Sequence, residues 1–204
     1  MVDVTRTRTQ QARREQFIDA ALRAINERGR DNVRIRDIAA AAGVSPGSVL
    51  YHYPELAELM FDVHRTVADR FYHHRVDTVD AAEDAELKLA AAIETGLPTG
   101  QDDEVASALY EMHGLADRSS EHAALMTGLY DREVALYAAV LEIGRATGRF
   151  TLSRPVREIA ATLVALEDGL GLHLISNNTS VERSTAKHLL AECARQATGC
   201  ATIP

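Results

Sequence analysis

The segment at residues 44–54, VSPGSVLYHYP, brings together side chains that can bind a polar or charged surface. Ser45 and Ser48 carry hydroxyl groups, while Tyr51 and His52 carry rings with a polar tip. The segment is too polar at its start for a plain core helix and too short to be stable alone. We therefore expect a short helix that neighbouring helices hold and whose exposed face is used for binding.

The other residues that could support chemistry do not form a recognised catalytic pattern. The eight histidines include the adjacent pair His73 and His74, which point to different sides of a helix. Neither an HExxH nor a Glu-x-x-His motif is present, and there is no phosphate-binding glycine loop and no nucleophile elbow. We expect no metal and no cofactor, and an all-α metal-dependent enzyme is the alternative class.

The charge is distributed unevenly along the chain, whose formal net charge is −8. Residues 1–50 contain nine arginines and six acidic residues, so this segment carries +3 and the remaining 154 residues carry −11. A basic end on an acidic body suggests one face that binds an anion. Because no apolar run reaches the roughly 20 residues of a membrane span and no signal peptide is visible, we predict a cytoplasmic protein that does not contact the membrane. Free thiols at Cys193 and Cys200 agree with a reducing compartment.

Helical periodicity runs through the whole chain and predicts an all-α fold of about nine helices. The first helix is expected at residues 10–28, and a short second helix ends at Gly43. Ser45 is the expected cap of the third helix, with Pro46 at its first position. Pro54 closes that helix and begins a fourth, which runs to about residue 79. Five more helices are predicted, at residues 83–97, 102–116, 119–147, 153–176 and 180–197.

The second and third helices have the properties of a helix-turn-helix motif, which we place at about residues 34–53. Ala39 and Ala42 are small enough for two helices to cross closely, and Gly43 allows a sharp turn of the backbone. In such a motif the second helix enters the DNA major groove, and neighbouring groups hold phosphates. The expected DNA contacts are Arg34, Arg36, Ser45, Pro46, Gly47, Ser48, Tyr51 and His52.

The sequence IRDIAAAAGVSPGSVLYHYPELAEL, preceded by the amphipathic RREQFIDAALRAINERG, resembles the DNA-binding domain of TetR-family transcriptional repressors over roughly residues 10–65. We accordingly divide the chain into a flexible basic arm at residues 1–9, a three-helix DNA-binding domain at 10–55, a ligand-binding and dimerisation domain at 56–199 and a tail at 200–204. Family members commonly place a phosphate-binding lysine where this chain has Leu56. The arginines Arg6, Arg8, Arg13 and Arg14 could replace that phosphate contact. If the contact is missing, the protein could instead be an interaction module without DNA binding, which is a further alternative.

A single helix-turn-helix contacts too few bases for useful specificity, so we expect a homodimer on a near-palindromic site in double-stranded DNA. In the TetR family the last two long helices of each subunit form a four-helix bundle. Apolar stripes on the last two predicted helices supply either this interface or the core of a monomer. The expected interface residues are Ile159, Leu163, Leu166, Leu170, Leu174, Leu189 and Cys193.

The resemblance also implies a pocket in the middle helices for an unknown small-molecule effector that releases the repressor from DNA. The pocket is expected among Phe61, His64, Met112, His113, Leu115, Met126, Tyr130 and Tyr137. Glu167 and Asp168 interrupt an apolar helix and could pair across the dimer interface, meet a cationic ligand or lie on a solvated edge. The layout is also similar to the choline-responsive repressors of the family. Tryptophan is absent and aromatic residues make up 5% of the chain, so no aromatic cage is visible and the sequence names no ligand.

Overall fold

The structure, a computed structural model, describes residues 4–100 and 102–203, without the side chains of residues 4–7 and 9. These residues form nine α-helices and one 3-10 turn, and no strand lies within the described ranges. The α-helices are α1 (Val4–Arg28), α2 (Ile35–Ala42), α3 (Pro46–His52), α4 (Leu56–Ala81), α5 (Ala85–Gly96), α6 (Glu104–His113), α7 (Ser120–Ala146), α8 (Val156–Ile175) and α9 (Arg183–Thr198). The predicted all-α class is confirmed.

The first helix is longer than the sequence predicts. It begins at Val4 instead of residue 10, so the backbone of residues 4–9 is helical where we expect a flexible arm. The cause is local, because neither glycine nor proline occurs before Gly29 to interrupt the helix. Residues 1–3 of the predicted arm, and the side chain of Arg6, lie outside the described part of the chain.

The helices α1, α2 and α3 and the start of α4 enclose a small core of their own. Phe17, Ile38, Val49 and Leu59 are all wholly buried in it. The turn between α2 and α3 is made at Gly43, whose φ of 69° lies in the left-handed region that favours glycine. This arrangement is the helix-turn-helix that the sequence predicts.

The cap of α3 also forms as the sequence predicts. The Ser45 hydroxyl oxygen accepts a hydrogen bond from the backbone N–H of Ser48 at 3.3 Å, and Pro46 occupies the first helical turn. The α3 helix therefore begins at a defined residue, and its first turn is presented at the surface.

A second, larger core lies among α5, α7, α8 and α9, and the long helix α4 joins the two cores. The first half of α4 contributes Leu59 and Val63 to the smaller core around the helix-turn-helix, whereas Val79 near its end is buried in the larger core. A helix of this length spans about 39 Å. No helix in the described part of the chain combines the length and hydrophobicity that a bilayer crossing requires.

Candidate DNA interface and ligand cavity

The exposed face of α3 carries most of the predicted DNA contacts. Ser45, Pro46 and Gly47 are exposed at its start, and the Tyr51 ring is 74% exposed, which is exceptional for a large aromatic side chain. His52 is half-buried, because its ring lies 5.5 Å from the ring of Phe17 and 5.1 Å from that of Tyr51. Tyr51 is therefore free to contact a partner, while His52 also supports the helix.

The two arginines at the start of α2 are exposed. Arg34 precedes the first turn, and its backbone N–H donates to the Asp37 carboxylate at 2.9 Å. Its guanidinium also donates to the backbone oxygens of Asp31 and Val33, at 2.9 and 3.1 Å. These bonds hold Arg34 at the surface, where part of its donor set can meet a phosphate.

Leu56, which stands where family members commonly have a lysine, packs against the protein. Leu56 is half-buried against the core of the DNA-binding domain. Arg14 is not free to replace the lysine, because its guanidinium donates to the Asp62 carboxylate at 3.0 Å and lies 4.4 Å from the centre of the Tyr53 ring. Arg8 and Arg13 remain exposed on α1.

A cavity of about 570 Å³ opens among α4, α6, α7 and α8. Its wall is mainly apolar and aromatic, with two carboxylates and one imidazole. The lining residues are Phe71, Gly96, Pro98, Ala106, Leu109, Tyr110, His113, Gly114, Met126, Leu129, Tyr130, Glu133, Asp168, Gly169 and Leu172. A volume of this size is typical of small-molecule sites.

Three of the predicted pocket residues, His113, Met126 and Tyr130, lie on the cavity wall. Met112 does not, because its side chain is wholly buried against the DNA-binding domain. Tyr137 is also wholly buried behind the wall.

Phe61 and His64 form a separate cluster with His122. The Nδ1 atoms of His64 and His122 are 2.7 Å apart, and the Phe61 ring meets the His122 ring edge-on at 5.4 Å. Burial, together with His122, lowers the pKa of His64 to about 4, so this imidazole is neutral at physiological pH. Among the described residues, no three His, Cys, Asp or Glu side chains are arranged to hold a metal ion.

A buried ion network lies directly behind the cavity. Arg75 is wholly buried and donates to Glu133 Oε1 at 2.6 Å, to Glu167 Oε2 at 2.9 Å and to the backbone oxygen of Ala92 at 3.2 Å. The hydroxyl group of Tyr137 donates to the same Glu167 oxygen at 2.7 Å. One guanidinium therefore faces two buried carboxylates.

The carboxyl groups on the cavity side of this network have raised pKa values. Burial raises the pKa of Glu133 to about 8, with Glu167 and Asp168 acting in the same direction against the opposing effect of Arg75. Asp168 faces the cavity, and partial burial together with Glu167 raises its pKa to about 6. Both shifts mean that the ionised form of these carboxyl groups is disfavoured at this wall, and that added positive charge would favour it.

The predicted dimer stripe is largely inside the single chain. Ile159 and Leu163 are wholly buried, and Leu170 and Leu174 are less than a tenth exposed, so these four have almost no surface left to bury against a second subunit. These four residues belong to the core of the single chain, which is the alternative given above, because their face of α8 packs against neighbouring helices that include α7 and α9. Leu166 and Cys193 are half-buried and Leu189 is 47% exposed, so only these three predicted residues retain surface.

Two protein-family models match the chain. Residues 17–63 match the model described as bacterial regulatory proteins, tetR family, and residues 85–198 match the model described as BetI-type transcriptional repressor, C-terminal. The chain belongs to the TetR family. It is a TetR-family transcriptional regulator with a DNA-binding helix-turn-helix, and its family and relatives are transcriptional regulators, not enzymes.

Relatives of this TetR-family regulator agree with the assignment. The HTH-type transcriptional regulator BetI of Rhizobium meliloti is 27% identical over 179 residues, which cover 85% of this chain and 84% of that protein. The HTH-type transcriptional repressor KstR2 of Rhodococcus jostii is 26% identical over 138 residues, 68% of each chain.

Solved structures share the fold. A transcriptional regulator from Saccharomonospora viridis in complex with choline superposes with a TM-score of 0.83 at 24% identity, over 92% of this chain and 98% of that one. A TetR regulator from Haloarcula marismortui gives the same TM-score at 22% identity, over 92% and 99% of the two chains.

Several residues of the cavity wall are not predicted from the sequence. Phe71, Tyr110 and Glu133 belong to three different helices, and no local pattern distinguishes them from ordinary amphipathic positions. The Glu167–Asp168 pair in the apolar α8 is the one feature of the sequence that points to this wall of the cavity. Because consecutive helical residues point about 100° apart, Glu167 enters the core and Asp168 faces the cavity.

Proposed function

We propose that this regulator is a homodimeric repressor that binds a near-palindromic operator and is released by a small organic cation in the cavity. The observation that carries the proposal is the cavity wall, where the carboxylates of Glu133 and Asp168 lie beside the rings of Phe71, Tyr110 and Tyr130. Aromatic faces and carboxylates both attract a cation such as a quaternary ammonium group. The sequence suggests no such cage, because its members come from separate helices.

The charge balance supports a positively charged ligand over a neutral or anionic one. The wall has two titratable carboxylates with raised pKa values, and the only guanidinium of the adjoining described network, Arg75, is shared with Glu167. A cation would supply the missing positive charge. The choline complex of the S. viridis relative supports choline as the first compound to test.

The dimer is expected to form through the outer faces of α8 and α9. Leu189 is 47% exposed on α9, and the half-buried Leu166 and Cys193 lie on α8 and α9. Large exposed apolar side chains of this kind are typical of protein interfaces. Two subunits joined in this way would hold their α3 helices about 34–36 Å apart, the separation of successive major grooves.

Release requires that the ligand bind more tightly to a conformation that fits the operator poorly. The long helix α4 is the expected connection, because it contributes residues to both cores. Coupling of this kind typically changes operator affinity by about 5- to 150-fold.

DNA binding is tested by selecting sites from random duplex DNA with the purified protein and titrating salt on the selected duplex. We expect a near-palindromic site that is bound more weakly as salt rises. Tyr51→Ala combined with His52→Ala should lower the affinity for this site at least about a hundredfold. The double variant must still sediment as a dimer, and normal operator binding by it would show that α3 is not the recognition helix.

Ligand binding is tested by calorimetry with choline and with the neutral alcohol in which carbon replaces the ammonium nitrogen of choline. We expect choline to bind at least about tenfold more tightly than its neutral isostere. Asp168→Asn should weaken choline binding and leave the isostere unaffected. Equal binding of the two compounds would contradict the proposed cation site.

A further inference from the structure

Arg75 joins four helices at one buried point. The arginine belongs to α4, and its three hydrogen-bond partners Glu133, Glu167 and Ala92 belong to α7, α8 and α5. Glu133 is the partner that also forms the cavity wall. A ligand that approaches Glu133 therefore meets the same carboxylate that holds α4 in place.

The DNA-binding domain is fastened to the other end of α4. The Asp62 carboxylate on α4 accepts a hydrogen bond from the hydroxyl group of Tyr53 at 2.8 Å and another from Arg14 at 3.0 Å. Arg70, further along α4, donates to Asp19 on α1 at 2.6 Å. Because these contacts tie α1 and the end of α3 to α4, a displacement of the first half of α4 must carry the recognition helix with it.

We propose that Arg75 is the positioning residue through which a cation in the cavity acts on α4, because the cation and Arg75 share the Glu133 carboxylate. This inference rests on the proposed function. Arg75 lies 19 residues beyond the first residue of α4, or about 29 Å along the helix axis, so a small tilt at Arg75 becomes a shift at the DNA-binding domain.

The physical basis is competition between two cations for one buried carboxylate. A ligand cation beside Glu133 favours the ionised form of this carboxyl group, whose pKa burial raises. The cation then attracts the carboxylate that accepts from Arg75 and repels the guanidinium itself. Both effects are strong at groups that are buried from water, as Glu133 and Arg75 are. They act on the arrangement of α4 against α7, so the ligand can favour one arrangement over the other, as any coupling requires.

A second ion pair between α4 and α7 offers a matched control. Arg132 on α7 donates to Asp69 on α4 at 2.9 Å, and its guanidinium lies 4.7 Å from the centre of the Tyr72 ring. Arg132 is partly exposed and does not line the cavity. It therefore links the same two helices without contacting the ligand site.

The test compares Arg75→Lys with Arg132→Lys in the full-length protein, using choline and the duplex from site selection. A lysine keeps the charge but cannot bond two carboxylates with the geometry of a guanidinium. The measured quantity is the ratio of operator Kd values at saturating choline and without choline. We expect Arg75→Lys to reduce this ratio at least about threefold from a wild-type value in the usual range of about 5 to 150, while Arg132→Lys keeps the wild-type ratio.

The outcomes separate this inference from the proposed function. If Arg75→Lys binds choline and keeps the full ratio, the inference is wrong and the proposed function stands. If the wild-type protein neither binds choline or another quaternary ammonium compound nor is released by it, both are wrong. A purely structural role would lower the stability of Arg75→Lys without changing the ratio.

Hydrogen exchange on the wild-type protein provides a readout that does not depend on the folding of any variant. Choline is expected to change the exchange of backbone amides at residues 73–79 of α4, and more so than at residues 66–70 near the Asp69–Arg132 pair. Choline binding with unchanged exchange at residues 73–79 would overturn the inference.

Discussion

Glu133 gives the wild-type protein a pH dependence of stability that a single substitution should remove. Burial raises the pKa of its carboxyl group from the ordinary 4.5 to about 8, so the folded protein holds a proton that the unfolded chain releases at lower pH. The resulting stabilisation is fully present below about pH 4.5 and is lost as the pH rises through 8. Glu133→Gln keeps the shape of the protonated side chain and cannot titrate.

The size of the effect follows from the shift. At about pH 4.5 the two proteins should have nearly equal free energies of unfolding, because Gln resembles the protonated Glu. Above this pH, wild type should lose about 1.4 kcal/mol relative to the variant for each pH unit, until the carboxyl group is ionised in the folded state as well. At pH 7 the variant should therefore be more stable by roughly 3 kcal/mol.

Urea unfolding followed by circular dichroism at pH 5, 7 and 8.5, at one protein concentration, measures the difference. Asp131→Asn is the matched control on the same helix, since Asp131 is exposed and its partner Arg157 lies 3.6 Å away at the surface. The control should show no comparable rise with pH. A Glu133→Gln variant whose advantage stays constant with pH, or shrinks as pH rises, would refute the assignment of a raised pKa to Glu133.

Three further substitutions test separate parts of the structure. Tyr53→Phe removes the hydroxyl group that donates to Asp62 at 2.8 Å from a wholly buried ring, and urea unfolding should show a loss of about 1–2 kcal/mol; an unchanged midpoint would contradict the role of this bond. Leu189→Arg places a charge on the exposed face of α9, and sedimentation should find folded monomers, whereas an intact dimer would place the interface elsewhere. In Gly171→Ala the new Cβ would lie 2.2 Å from the Tyr110 hydroxyl oxygen, so the ring must move and calorimetry should show choline affinity lower by about tenfold or more. Wild-type affinity in that variant would show that the Tyr110 ring does not contact the ligand.

The DNA-binding domain could be predicted from the sequence because its signals are local. The Ser45 cap, Pro46 in the first turn of α3 and the left-handed turn at Gly43 each depend on residues within a few positions along the chain. The start of α1 was less predictable. No glycine or proline marks its start, and only the backbone of residues 4–9 shows that the helix extends over them.

In the larger domain the helices could be predicted from the sequence, but the residues of the cavity and of the interface could not. Periodicity shows that one face of a helix is apolar, but it does not show whether a neighbouring helix of the same chain or a second subunit covers that face. Ile159 and Leu163 illustrate this limit, since their stripe packs inside the single chain. The same limit separates His113 and Met126, which reach the cavity, from Met112, which does not.

The helical class, the helix-turn-helix and the exposed residues of α3 follow from the amino-acid sequence alone, because helix propensity, capping and turn formation act over a few residues. The position of the cavity and the meeting of Arg75, Glu133 and Glu167 behind it depend on how the helices pack. These residues are separated by 58 and 92 positions from Arg75. Their contact arises from the packing of α4, α7 and α8. In the sequence of each helix alone, the charged residue has nothing that distinguishes it from a solvent-exposed one.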